Sequence, residues 1–380
     1  IRTLKKILPA TLLKDAFLIY NKLKIRTVDK LLFSEFKTPK DQFILYSETQ
    51  PFKDVEMGAG TMPNEVLNFM KSWRTWRETE FILEINEPCC IEPEFGWAIV
   101  KYNQLVYSSL AMSRTWFQPK PNLYKFWRRT NVIRAKRALS LRDTGEENYF
   151  HFYNDVLCKI FFLQQQNIEI RTVPLIISKK LWDKEYFQFY FKNSELLQSL
   201  QWIIQDRQYI ECESSIFCKP LTHQIKLWNS IFAPVVNKKA SDQHRRIFLT
   251  RKKSRLRFIE NVDEIELILK KFGFEIIDTD DFTPEEQKKI FFDTEFLVGI
   301  HGAGLTNMIF RIGNCRLLEV FPPPDQGYLP YHYIMLAKML GFQYSAIIGE
   351  RGKALYSGGF YMSPMRIEEA LLELVKDELS

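Results

Sequence analysis

Residues 296–310 read Phe296-Leu297-Val298-Gly299-Ile300-His301-Gly302-Ala303-Gly304-Leu305-Thr306-Asn307-Met308-Ile309-Phe310. A short apolar run of this kind predicts a buried strand, and the His-Gly-Ala-Gly after it a tight turn opening a helix. Glycines let the backbone come close to a ligand, and the N–H groups of a helix N-terminus attract phosphate. The turn departs from a dinucleotide fingerprint. Gly302-Ala303-Gly304-Leu305-Thr306-Asn307 lacks the third glycine and follows the third strand of its domain rather than the first. A P-loop is excluded because no Gly-Lys-Ser/Thr occurs in the chain.

Outward from the turn the pattern is regular. Ile247–Thr250, Phe274–Asp278, Arg316–Phe321 and Tyr344–Ile348 read as strands. Val262–Phe272, stopped by Gly273, and Tyr331–Leu340, stopped by Gly341, read as helices. Thr283-Pro284-Glu285-Glu286 opens another, with an N-cap, proline at the first position and a capping-box glutamate. Such alternation implies a parallel sheet with helices on both faces, and ligands of such sheets sit at the carboxyl ends of the strands. Arg251-Lys252 falls at the same edge as the glycine turn, where a guanidinium can hold phosphate bidentately. Lys253, Arg255 and Arg257 read as solvent-facing. Asp278-Thr279-Asp280 has the form of a metal-holding pair on a diphosphate, or of a solvated acidic loop.

Earlier in the chain the signals are weaker. Residues 1–38 space leucines among lysines and arginines, as in an amphipathic helix that packs on the body or lies on a membrane surface. Phe43–Tyr46, Phe81–Ile85, Trp97–Val100 and Gln104–Tyr107 read as strands. Trp73, Trp76, Trp116 and Trp127 lie among arginines, a pattern of core edges or of a stacking surface for sugars or bases. Asn148–Phe162 reads as a helix with His151 and Asp155 four apart on a face of their own. The two form either a cleft-facing pair or a local cap. Ser194–Gln205 is expected to be a helix, Pro220–Val236 a linker helix and Arg366–Leu379 a terminal helix.

A chain of 380 residues, 46% hydrophobic and 14% aromatic, suits two packed domains and not a disordered segment. Its net charge of +7 fits anionic substrates or a membrane neighbour but is too diffuse to point to nucleic acid. The six cysteines have no Cys-x-x-Cys spacing, and Cys212, Cys218 and His223 make a loose metal set with no second half. No Asn-x-Ser/Thr sequon occurs, and no run approaches the ~20 apolar residues of a membrane span.

The 296–310 stretch, continued by Leu317-Leu318-Glu319-Val320-Phe321-Pro322, resembles the signature of glycosyltransferase family 61. Asn148–Asp155, the strand with Arg251-Lys252, and Gly273-Phe274-Glu275 with Glu286-Gln287 are similar to the family in the same order. The resemblance covers about residues 145 to 350. It implies an α/β, GT-B-like architecture of two Rossmann-like domains facing across a cleft. We expect an N-terminal acceptor-side domain over 1–220, a linker helix over 221–243, a nucleotide-sugar-binding domain over 244–355 and a terminal helix over 356–380.

The implied reaction is inverting, metal-independent sugar transfer from a nucleotide sugar, typically UDP-linked, to a glycan or lipid-linked acceptor, with no other cofactor. By the resemblance Asp155 is the base, with His151 its alternative or orienting partner. Arg251, Lys252, His301, Gly302, Ala303, Gly304 and Asn307 map to the donor diphosphate, and Glu319 to ribose or sugar hydroxyls. Where the family often has a basic residue before Asn-Glu, this chain has Phe258-Ile259-Glu260-Asn261, which bears on nucleotide contact. The missing sequons lean toward a bacterial capsule- or lipopolysaccharide-type enzyme. It would be cytoplasmic, peripheral at the inner membrane face, with no nucleic-acid partner. A non-catalytic nucleotide- or glycan-binding module of the same fold, and an NAD-dependent oxidoreductase, stay open as other readings.

Overall fold

The computed structural model describes residues 33–53, 62–110, 120–221, 225–237, 239, 241–252, 256–324, 329–352 and 358–376. The amphipathic helix expected at the N-terminus lies, through residue 32, outside the described residues, as do His223, Trp116, Lys253 and Arg255. The chain divides into two compact α/β units. Of the described residues, one contains 33–49 with 77–234, the other 50–76 with 235 onward.

The first unit is built on a ten-stranded mixed sheet. Its strands are β1 (Ser34–Glu35), β2 (Phe43–Thr49), β3 (Glu78–Ile85), β4 (Cys89–Ile91), β5 (Ala98–Val100), β6 (Gln104–Val106), β7 (Val132–Ser140), β8 (Leu175–Ser178), β9 (Trp202–Gln205) and β10 (Tyr209–Lys219). The long β10 is its spine. One side pairs antiparallel with β4 and then β3, and the other runs parallel to β7. From β7 the sheet continues in parallel through β8 to β9. Ile85, Ile91, Val100, Ala138, Ile176, Ile210 and Phe217 meet in one core cluster.

Two expectations change here. Ser34–Glu35, within the stretch read as helix, is a strand beside β6. The helix expected over 194–205 ends after Glu195–Gln198, capped by Ser194. Trp202–Gln205 instead becomes β9, because Trp202-Ile203-Ile204 aligns with Leu175-Ile176-Ile177 of β8. Pairing with a neighbouring strand overrides a helix-compatible spacing. The helix Ile225–Phe232 buries Leu227, Trp228 and Ile231, and Tyr190 donates its hydroxyl to the Ile231 carbonyl at 2.5 Å.

The second unit carries a five-stranded sheet, parallel throughout: β11 (Arg245–Leu249), β12 (Glu275–Ile277), β13 (Thr294–Ile300), β14 (Arg316–Phe321) and β15 (Gln343–Ile348). The order is β12-β11-β13-β14-β15. Numbered within the unit this is 2-1-3-4-5, a doubly wound order whose switch point lies between β11 and β13. On one face Phe248, Phe296, Val298, Leu318 and Val320 pack against Ile265 and Leu269 of the helix Val262–Lys271 and Ile367 and Leu371 of the helix Pro364–Val375. β13 and β14 are buried almost end to end, as parallel strands covered on both faces should be. The capping box at Thr283 forms as expected, with its oxygen accepting from Glu286 N–H and Glu286 accepting from Thr283 N–H. Among the described residues no helix is long and apolar enough to cross a membrane.

Candidate active site

The glycine turn stands at the carboxyl end of β13. His301 donates its N–H to the Val320 carbonyl at 2.9 Å, so the strand ladder runs into the turn itself. The helix that follows, Ala303–Phe310, is a 3₁₀-helix rather than the α-helix a phosphate-binding turn would suggest. Gly302 has φ 167°, extended backbone open to any residue, so conformation does not require glycine there. Proximity does: a Cβ on Gly302 would overlap Nη1 of Arg251. Gly304 is less confined, since a methyl added there would have its nearest neighbour, Thr279 Oγ1, 3.4 Å away. Arg251 follows β11 and Gly302 follows β13. The guanidinium therefore rests on the turn's backbone at the switch point of the sheet.

Behind the turn His301 is held by a buried carboxylate. Its Nδ1 lies 2.5 Å from Glu319 Oε1, and Tyr344 donates its hydroxyl to Oε2 at 2.6 Å. Glu319 is wholly buried in the middle of β14, and those two donors compensate a charge that burial would otherwise penalise heavily. The imidazole stacks on Phe321 and meets the edge of Tyr333. Carboxylate at Nδ1 leaves Nε2 as the working nitrogen. Among the described residues Nε2 has no protein partner. Burial and the Glu319 charge push the Tyr344 phenol well up, so it stays a donor. Burial likewise raises Tyr333.

Arg257, expected to face solvent, does not. It is half-buried within the field of Glu319 and Tyr333, and burial lowers its pKa. Its backbone is left-handed, φ 66°, and its N–H donates to the Gly358 carbonyl at 2.7 Å. A signal for this exists in the sequence: Phe258-Ile259, both buried, draw the segment inward immediately after it.

Other expected residues are placed differently. Lys252 reaches away to the acidic loop, 2.5 Å from Asp281 and 3.9 Å from Asp278, and these carboxylates raise its pKa. Asp278 accepts the Asp280 N–H at 3.0 Å, which gives the Asp-Thr-Asp pattern a turn-forming role. Asn307 is buried and donates to Gln287 Oε1 at 2.8 Å, tying the 3₁₀-helix to the helix Pro284–Phe292. Gln287 in turn donates to the Thr279 and Phe282 carbonyls. The cysteines are all free and buried, and among the described residues no cluster of three metal-ligating side chains occurs.

In the other unit, β7 leads through residues 141–148 into a helix whose flanks, Tyr149–His151 and Cys158–Gln165, are α-helical around a π-helical stretch, Phe152–Leu157. Widened turns of this kind concentrate at functional sites. Asn148 caps the helix, accepting from the Phe150 and His151 N–H groups. Capping is therefore not the task of His151 and Asp155. Those two are joined to each other, His151 Nδ1 to Asp155 Oδ2 at 2.5 Å, with side chains 18% and 10% exposed. Asn154 donates to the second oxygen, Oδ1, at 2.8 Å. Both oxygens of Asp155 are thus engaged, one of them by the imidazole.

Residues 149–318 match the model of the Glycosyltransferase 61 family. The chain carries a glycosyltransferase family 61 domain. The match begins at the helix bearing His151 and Asp155, takes in Arg251 and the glycine turn, and stops one residue before Glu319. It implies glycosyltransferase activity, with a sugar donor and an acceptor as substrates. Comparison with curated proteins finds no match.

Proposed function

We propose that the protein is an inverting, metal-independent glycosyltransferase using a nucleoside-diphosphate sugar, UDP-linked, and a glycan or lipid-linked acceptor. The observation that carries this reading is the contact of the Arg251 guanidinium with Gly302 at the switch point of the five-stranded sheet, inside the matched domain. Doubly wound sheets bind their ligands at that point, and a guanidinium there matches phosphate geometry. Arg257 supplies a second positive charge, Ala303 and Gly304 line the turn, and His301 offers Nε2. Glu319, saturated by His301 and Tyr344, orients His301 rather than meeting ribose. Lys252 and Asn307 act as neighbours of the site, holding the acidic loop and the 3₁₀-helix.

For the proton we assign His151 as the base and Asp155 as its orienter, since Asp155 has both oxygens occupied while its bond to Nδ1 leaves Nε2 as the nitrogen that takes a proton. In the transfer the acceptor oxygen forms its bond to the anomeric carbon as the bond from that carbon to the diphosphate oxygen breaks. The acceptor proton goes to His151 Nε2, and the electron pair leaves with the diphosphate, where Arg251 and Arg257 stabilise it. The larger arrangement we propose is GT-B, with the acceptor-side domain over 1–220 and the donor-binding domain over 244–355. A bacterial, capsule- or lipopolysaccharide-type role beside the inner membrane face fits the basic N-terminal stretch.

Thermal unfolding with UDP, GDP, CMP and NAD, each with and without EDTA, tests this. A shift by UDP that survives EDTA supports the reading. A shift abolished by EDTA defeats its metal-free part, and NAD alone shifting the transition would favour the oxidoreductase. If UDP binds but His151→Asn and Asp155→Asn both transfer sugar at the wild-type rate, the assignment of the base fails.

A further inference from the structure

His151 and Asp155 do not stand alone on their helix. Four residues on, Lys159 is buried with its side chain 2% exposed, 2.6 Å from Asp143, itself 1% exposed. The ammonium also donates to the Arg142 carbonyl at 3.0 Å. Asp143 Oδ1 accepts the Thr144 N–H at 2.7 Å, which fixes the loop between β7 and the helix. The same loop lies against the imidazole: a methyl on Gly145, whose φ is 82°, would sit 3.5 Å from His151 Cδ2. Loop and helix thus bracket a row of charged groups, His151, Asp155, Asp143 and Lys159.

Several neighbours are neutral or already paired. Cys158, Tyr149 and Tyr153 on the helix are pushed up by burial and stay neutral, and so is Cys218 on β10, raised to about 12. Arg142 is paired with Glu146 at 2.9 Å, and Glu147 with Lys180 at 3.5 Å. Tyr186, on the neighbouring helix, is neutral as well, raised by burial. Asp143 itself is acted on by Lys159, which attracts it, and by Asp155, which repels it more weakly.

A buried ion pair is weak evidence for stability, because apolar residues of the same volume often serve packing as well or better. Its place in this row is the informative feature. We propose that Asp143 and Lys159 are positioning residues for the base: Lys159 cancels the charge of Asp143, so that of the two carboxylates Asp155 is the one that acts on His151, while Asp143 keeps the loop against the imidazole. This rests on the assignment of His151 as base, yet its test needs no sugar substrate.

The chain has five histidines, so ¹³C-labelled imidazole signals can be followed against pH and that of His151 assigned with His151→Gln. In Asp143→Asn the Lys159 charge is uncompensated and competes for Asp155, so the His151 midpoint should fall by about one unit. Adding Lys159→Met removes the stray charge and should bring it back. A midpoint unmoved by Asp143→Asn, or equally displaced in the double variant, overturns the proposal. Should Asp143→Asn not fold, Lys159→Met alone carries the test. The stranded Asp143 then either raises the His151 midpoint or takes up a proton itself, seen as a carboxyl titration above about pH 6. Absence of both overturns the proposal. Wild-type transfer by His151→Gln would defeat the assignment of the base while leaving the measured coupling intact.

Discussion

Replacing Gly302 by alanine isolates the contact on which the proposed donor site rests. The backbone there is extended, so the substitution carries no conformational penalty, and its effect comes from one methyl meeting Nη1 of Arg251. A guanidinium is the far end of a flexible side chain and can swing aside, so the fold should survive. The ligand's partner, however, is displaced. A hydrogen bond to a charged group is worth about 1.5–3 kcal/mol, roughly a 10- to 150-fold weakening of UDP binding. In a thermal-shift series, UDP at 100 times its wild-type Kd stabilises the native protein by about 2.7 kcal/mol. A tenfold weaker site leaves about 1.4 kcal/mol at the same concentration. Two controls sharpen the reading. Gly304→Ala, whose methyl meets only ordinary contacts, should bind nearly as the wild type does. On an Arg251→Ala background, Gly302→Ala should add nothing, because the group it displaces is gone. Calorimetry with UDP reads the four variants beside the wild type. Gly302→Ala binding as tightly as the wild type, or Gly304→Ala weakening binding as much, would refute the argument.

Further outcomes follow from the same unit. Glu319→Ala strands the Tyr344 hydroxyl and the His301 Nδ1–H together and should cost about 3 kcal/mol or more in urea denaturation. Tyr344→Phe added to it should then cost little, since the hydroxyl has already lost its acceptor. Gly299→Ala places a methyl 2.5 Å from Leu305 Cδ2 and 3.3 Å from Leu249 Cβ. Overpacking there should destabilise by about 1–3 kcal/mol, and an unchanged urea midpoint would mean that Leu305 gives way freely. The Arg245 guanidinium holds the Glu275 carboxyl below its usual range. A depressed folded-state value stabilises above the ordinary carboxylate pKa, and that contribution is lost as pH falls through the folded value. Arg245→Ala should therefore cost at most about 1 kcal/mol near neutral pH, the pair being partly exposed. Melting curves of variant and wild type should converge toward about pH 3. A difference that persists in acid would assign Arg245 a role other than this pair.

The second unit is legible in the sequence because parallel strands covered on both faces leave continuous apolar runs with clear punctuation. Gly273 and Gly341 do take left-handed φ, 79° and 74°, where the helices are expected to stop. Strand order alone places Arg251 and the glycine turn at one sheet edge. It does not give their contact, since spacing along a chain says nothing of which backbone atom a guanidinium rests on. In the first unit β10 is hard to read from its residues, because Glu213, Ser214 and Ser215 interrupt its apolar pattern. The ladder it forms with β3 and β7 supplies what composition does not. The rings of Phe52, Trp73 and Trp76 around Tyr331 join residues more than 250 positions apart, and no local period announces that. Arg257 reads as solvent-facing for a similar reason. Its backbone partner, Gly358, lies about a hundred residues further on.

Among the described residues three histidines have Nδ1 2.5 Å from a carboxylate oxygen; His244 with Glu295 is the exposed pair, and the other two, His151 with Asp155 and His301 with Glu319, lie one in each unit. Geometry alone would give them one chemistry; their environments separate them. Glu319 is closed from solvent and its second oxygen is held by the Tyr344 hydroxyl, a donor that burial keeps protonated. His301 itself is wedged between Phe321 and Tyr333. A group so enclosed suits fixed hydrogen bonding to a ligand, since proton exchange with water is hindered and its ring cannot turn. The His151 pair is more open, and a π-helical turn runs directly under it. A base must lose its proton after every turnover, which requires a path to water as well as an orienting carboxylate. On that criterion His151 is the better base, and His301 the better anchor for a donor whose leaving group never needs to be protonated by it.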